Sequence, residues 1–286
     1  MRRFSCAAAM LLLLHSGSAL AHREPTEEIS QLTHELQGDP SDPETLVRRA
    51  QLYRQQGRYA EALDDLAKAR RLAPVLPTID LAQAQTLLAS GCAESALESI
   101  DRLLQGQPEH VVGGLTRARI LASLGQALAA HAEYSRLIVR LEASNAPGPE
   151  LYLERARVLV AAGPAHLGEA IDGLDEAITR LGNVPALTSA AIDLEITAHR
   201  LDAALARIAV QVAQTSHPEP WLVRQGRVLE LAGRHAEARV AYEGALNRLQ
   251  HLASERPEAR ASAEAAAAAR EGLQRLDTPA TSTGGR

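Results

Sequence analysis

Three columns of small residues recur every 34 positions along this chain. Gly57, Gly91 and Gly125 form the first, Ala62, Ala96 and Ala130 the second, and Ala50, Ala84 and Ala118 the third. Pro74 and Pro108 keep the same spacing, and Tyr53, Leu87 and Leu121 place a large apolar residue three after each alanine of the third column. A fixed period of this size belongs to stacked supersecondary units, each too small to bury its own apolar face.

Residues 43–74 (PETLVRRAQLYRQQGRYAEALDDLAKARRLAP) show what one unit contains. Leu46, Ala50 and Tyr53 run at helical spacing, and Gly57 ends that helix where a tight turn needs positive φ. Tyr59, Ala62, Leu63, Leu66 and Ala69 make the apolar stripe of a second helix, which Pro74 stops. Alanine at 50 and 62 lets the two helices approach closely.

On these residues the unit resembles a tetratricopeptide repeat: Ala50, Tyr53, Gly57, Tyr59, Ala62, Ala69 and Pro74 all fall on that family's signature positions. The resemblance implies an all-α fold, a right-handed α-solenoid of stacked helix-turn-helix repeats. Six repeats are expected in one continuous array, at about 43–76, 77–110, 111–144, 149–184, 185–217 and 219–250. The turn-rich SNAPGP stretch (144–149) precedes the fourth repeat, and the step from Gly125 to Gly163 is four residues too long. The fourth repeat's inter-helix turn is two residues longer than the first's. The fifth is degenerate, with His199 where the glycine belongs, which puts its turn geometry in question. Residues 22–42, with Ile29, Leu32 and Leu36 on one face, are expected to cap the N-terminal end. Residues 251–277, rich in alanine, are expected to form the C-terminal capping helix, and 278–286 a disordered tail.

The first 21 residues are expected to be a signal peptide. Arg2 and Arg3 precede the short apolar run Cys6–Leu14, and Ala19-Leu20-Ala21 fits small-residue cleavage. The run is less than half the roughly 20 residues a membrane span requires. Cleavage would take the formal charge from −5 to −7, remove Cys6 and leave Cys92 without an internal partner. The expected location is the periplasm or beyond, with no integral membrane segment in the mature chain.

No nucleotide, hydrolase or metal motif occurs, and the ten histidines form no i, i+3 or i, i+4 pair on a helix. No catalytic residue and no cofactor are expected. A mature N-terminal His22 could chelate copper through its amine and imidazole. The acidic balance and the scarcity of aromatics, seven in 286 residues, argue against nucleic acid. Five tyrosines and Trp221 sit at or beside repeat signature positions, so they are expected in inter-helix packing.

By the resemblance, the first helix of each repeat lines a concave groove. The ninth position reads Gln51, Gln85, Arg119, Arg157 and Arg227, and Arg48, Arg54, Gln55 and Arg224 stand nearby; Asp193 breaks the ladder. Arginine and glutamine offer several donors each, and arginine matches carboxylates. The expectation is a non-catalytic scaffold holding a partner protein or an acidic, extended peptide in that groove. The competing reading is internal pairing, Glu154 with Arg157 and Glu230 with Arg227. The family's chaperone clamp is absent, because Val47, Gln51 and Ala82 occupy positions where it needs Lys, Asn and Asn. A second functional expectation is an accessory subunit of an envelope polysaccharide or cell-wall assembly machine.

Overall fold

The structure, a computed structural model, describes residues 25–142, 147–255 and 260–277. The expected signal peptide, His22, the first half of the SNAPGP stretch and the 278–286 tail lie outside the described residues. Among the described residues there are α-helices, one 3-10 turn and no strand. The chain divides between Gly91 and Cys92 into two compact units.

The first unit contains α1 (Pro25–Gly38), α2 (Pro43–Gln55), α3 (Tyr59–Leu72) and α4 (Pro77–Ala89). Asp42 caps α2, its carboxylate accepting the Glu44 N–H at 3.0 Å, and Pro43 opens the first turn. The core joins Leu36 from α1 to Leu46, Val47, Ala50, Ala62, Leu66, Ala69, Ile79 and Ala82. Ala50, Ala62 and Ala69 are fully buried, as close helix packing demands. Ile29, Leu32 and Leu36 are all buried, so α1 spends its apolar face on the first repeat.

The second unit contains α5 (Ala93–Gly106), α6 (Val111–Ser123), α7 (Ala127–Glu142), α8 (Pro149–Ala162), α9 (Leu167–Leu181), α10 (Pro185–Thr197), α11 (Leu201–Gln214), α12 (Glu219–Leu231), α13 (His235–Glu255) and α14 (Arg260–Asp277). From α5 on, each helix packs on the next in this unit, α10 also touches α8, and α12 also touches α14. This sequential packing is that of an all-α solenoid. Prolines open α2, α4, α8 and α10, a start signal the 34-residue columns do not include. α13 runs five residues past the end expected for the last repeat, because neither Gly nor Pro follows Leu249 until Pro257.

The turn column behaves as its glycines require. Gly57, Gly91, Gly125 and Gly233 all adopt φ between +71° and +85°. Gly163 sits at φ +120°, and the lengthened turn behind it takes in a 3-10 turn over Pro164–His166. His199 takes φ +55° and keeps the same turn. The Arg200 N–H reaches the Glu195 carbonyl at 2.8 Å, as Arg58 reaches Tyr53 at 2.8 Å and Arg234 reaches Leu229 at 2.9 Å. The degenerate repeat is degenerate in sequence and regular in backbone.

At the C-terminal end Tyr242 is wholly buried between two glycines. A Cβ on Gly226 would lie 2.6 Å from its ring, and one on Gly272 would lie 2.4 Å from it. These two positions let α12 and α14 close on α13.

Candidate functional site

The seventh position of the first helices decides which arginines are free. In the first unit Arg49 reaches from α2 to Asp65 on α3 through Nε at 2.7 Å and Nη2 at 2.9 Å, and to Thr33 on α1 at 3.0 Å. Two periods on, Arg117 repeats the arrangement in the second unit. It bonds Asp101 on α5 at 2.7 Å and the buried Glu133 on α7. Arg155 keeps the position but meets Gly173 where a carboxylate would stand, and donates to its carbonyl at 3.2 Å and to Glu176 at 3.2 Å. The fifth repeat inverts the polarity: Arg207 on α11 is held by the buried Glu195 on α10 at 2.6 Å and by Asp175 on α9 at 2.6 Å. Hydrogen bonding to Glu195 raises the Arg207 pKa against the opposing effect of burial. These arginines tie helices together. Their signature, an arginine followed by a carboxylate 16 residues on, is present in the sequence at 49/65 and 117/133.

The ninth-position ladder presents differently. In the first unit Arg48 and Gln55 are exposed, and Gln51, Arg54 and Gln85 are half-buried. Arg54 Nε is buried and has no hydrogen-bond partner among the described residues. In the second unit Arg119 on α6 grips Glu154 on α8 with Nε at 3.0 Å and Nη2 at 2.6 Å, and the Tyr134 hydroxyl donates to the same carboxylate at 2.7 Å. Burial pushes the Glu154 pKa up, but bonds from Arg119 and Tyr134 and the nearby Arg157 charge bring it below the usual carboxylate range. Burial and the bond to Glu154 raise the Tyr134 pKa. Arg224 on α12 binds Asp193 on α10 at 2.7 Å and the Ser189 carbonyl at 3.0 Å, and lies 5.7 Å from the Trp221 ring.

Glu154 and Glu230 therefore find partners other than their helix neighbours. Glu230 pairs with Arg275 of α14 at 2.9 Å and also accepts the Tyr242 hydroxyl. Arg157 and Arg227 are exposed and form no ion pair among the described residues. Arg227 lines two adjoining clefts. One, about 440 Å³, lies between α10 and α12 and is floored by Ile196, Val223 and Val228. The other, about 410 Å³, lies between α12 and α14 and includes His235 and Arg275. Leu231 stands in both with 64% of its surface exposed, an apolar group beside a free cation. Tyr134, Tyr152 and Tyr242 are buried, while Tyr53 lies under Arg58 at 4.3 Å.

A model of the tetratricopeptide repeat matches residues 43–74. The fold is that of a tetratricopeptide repeat protein. A tetratricopeptide repeat protein from Parabacteroides merdae superposes with a TM-score of 0.54 at 18% identity, over 86% of this chain and 92% of the other. PilW, described as a type IV pilus biogenesis factor, superposes with a TM-score of 0.55 at 19% identity, over 66% of this chain and 86% of the other. No curated protein matches the sequence. Among the described residues of this repeat protein no helix is long and apolar enough to cross a membrane.

Proposed function

We propose that the first-helix face of this protein binds an acidic, extended segment of a partner protein, and that the protein is a non-catalytic scaffold. Protein interaction is the coarse function that the tetratricopeptide repeat fold supports. The observation that carries the finer reading is Arg227: it is exposed, without an ion-pair partner among the described residues, and shared by two clefts that both contain Leu231. A carboxylate on Arg227 with an aliphatic neighbour against Leu231 uses both features. Arg157 supplies a second uncommitted cation on α8. Arg119 and Arg224 are already engaged by Glu154 and Asp193, so they shape the face rather than supply free charge.

Pull-down of partners from the native envelope with wild type and with the Arg157→Glu, Arg227→Glu double variant tests this. Loss of specific capture with unchanged helicity is expected, and undiminished capture by the variant refutes the reading. Export is proposed on the sequence of residues 1–21 alone, and N-terminal sequencing of the mature protein beginning at His22 would establish it.

A further inference from the structure

A further hollow in the second unit lies away from Arg227. It measures about 580 Å³ and is lined by Ile178, Ala203, Ala206 and Val210, with Gln211 and Gln214 at one end. It sits where α9 and α11 flank the start of α10. Its chemistry departs from the equivalent places in other repeats. Lys68, Arg102 and Arg136 recur at intervals of 34, and Glu176 follows them after the extra turn; 34 residues further on stands Val210, 49% exposed. Along the solvent side of α11, Ala203, Ala206, Ala209, Val210 and Ala213 are exposed, and Asp202 in the first turn is the only charge among the exposed residues of the helix. A helix that is apolar on its solvent side as well as its core side is one that expects a neighbour.

Two further observations define that neighbour. First, the hollow offers no free cation to attract an acidic segment. Its one cation, Arg207, is outweighed by Glu195 and Asp175. Second, Asn183 Nδ2 donates to Gln211 Oε1 at 3.2 Å and to Gln214 Oε1 at 3.2 Å, while Thr188 Oγ1 bonds Asn183 Oδ1 at 3.3 Å. Both glutamine NH2 groups stay uncommitted among the described residues, although Gln211 is only 7% exposed. Side-chain amides match peptide groups in both donor and acceptor capacity. Helical segments have satisfied their own peptide groups, so an extended segment is the one with carbonyls to offer. The exposed face of α11 comprises four alanine methyls and one valine, well short of the roughly 800 Å² each copy contributes to a stable dimer.

We propose that this hollow is a second docking site, taking an uncharged, aliphatic, extended segment of a partner protein. One aliphatic side chain lies over Ala203 and Ala206, and a backbone carbonyl meets the amides of Gln211 and Gln214. The site is separate from the Arg227 clefts and selects the opposite chemistry.

The full chain, with Ile, Leu and Val methyl groups labelled for NMR, tests it. The probe is the capped peptide acetyl-Gly-Ala-Leu-Val-Leu-Ala-Gly-amide, and the control is the same peptide with both leucines replaced by glutamate. Saturable shifts of the Ile178 and Val210 methyls are expected with the neutral probe only. Ala206→Arg puts a charge into the hollow from an exposed helix position and should weaken the probe about tenfold or more with helicity unchanged. Arg227→Glu should leave the probe's affinity as it is. Absence of saturable shifts at Ile178 and Val210, equal shifts with the acidic control, or unchanged binding by Ala206→Arg would each overturn the proposal. So would shifts of the same methyls on raising protein concentration without probe, which would make a second copy the occupant.

Discussion

Replacing His199 by glycine should stabilise the protein. His199 is the one non-glycine residue with positive φ among the described residues, at +55°. It is exposed, and the turn's bonds are made by backbone: His199 N–H to the Ile196 carbonyl at 3.0 Å and Arg200 N–H to the Glu195 carbonyl at 2.8 Å. Glycine keeps both bonds. An L-residue in the left-handed region costs about 1–2 kcal/mol, because its Cβ crowds the neighbouring carbonyl. Glycine returns about 0.5–1 kcal/mol of that by freeing the unfolded chain. The net gain is about 0.5–1 kcal/mol. For a folded unit of this size the midpoint should rise about 1–4 °C. Thermal unfolding followed by circular dichroism at pH 7 reads it directly. His199→Val is the counter-test, since a β-branched side chain is worse than histidine at positive φ and should lower the midpoint. A His199→Gly midpoint below wild type, or a His199→Val midpoint at or above it, would show that the histidine side chain stabilises this turn and that strain does not govern it.

Three other perturbations probe the links between helices. Glu154→Gln should lower stability at neutral pH, and the difference should fade in acid. The Glu154 pKa is depressed in the folded state, so its contribution is complete above the unfolded value of about 4.3 and is lost as pH falls through the lower folded value; a difference constant from pH 7 to 3 contradicts this. Gly272→Ala drives a methyl into the Tyr242 ring and should cost about 1–3 kcal/mol by overpacking, with faster amide exchange in α14 than elsewhere; unchanged exchange there would be evidence against the seat. Glu195→Ala leaves the Arg207 guanidinium with only the part-exposed Asp175 and should cost about 1–3 kcal/mol in urea unfolding, whereas Glu195→Met with Arg207→Met should recover most of the loss. Equal losses in the single and double variants would mean that the pair has no mutual dependence.

The repeat frame was readable because its residues act locally. A glycine at a positive-φ turn, an alanine at a helix crossing and a tyrosine in the inter-helix core each leave a mark at fixed spacing, and Gly57, Ala62 and Tyr134 occupy the places that spacing assigns. His199 shows the limit of that signal. The turn it occupies is enforced by the packing of α10 and α11, which overrides the residue's own preference. The ninth-position arginines and glutamines were identifiable as a column, yet the column could not say which members are free. Sequence spacing points to pairing between neighbours on one helix, and the structure forms it between helices: Glu154 takes Arg119, 35 residues away, and Glu230 takes Arg275, 45 residues away.

Periodicity thus decides the helices, their turns and the faces they bury, since those depend on residues within one or two turns of each other. Tertiary structure decides which charges remain for a partner, because long side chains choose among carboxylates brought close only by stacking. Arg119 and Arg224 lose their freedom to Glu154 and Asp193, while Arg157 and Arg227 keep theirs. The hollow beside α11 is likewise a product of stacking. Its alanines read as ordinary helix formers in the chain and become a surface only where α9, α10 and α11 stack around it.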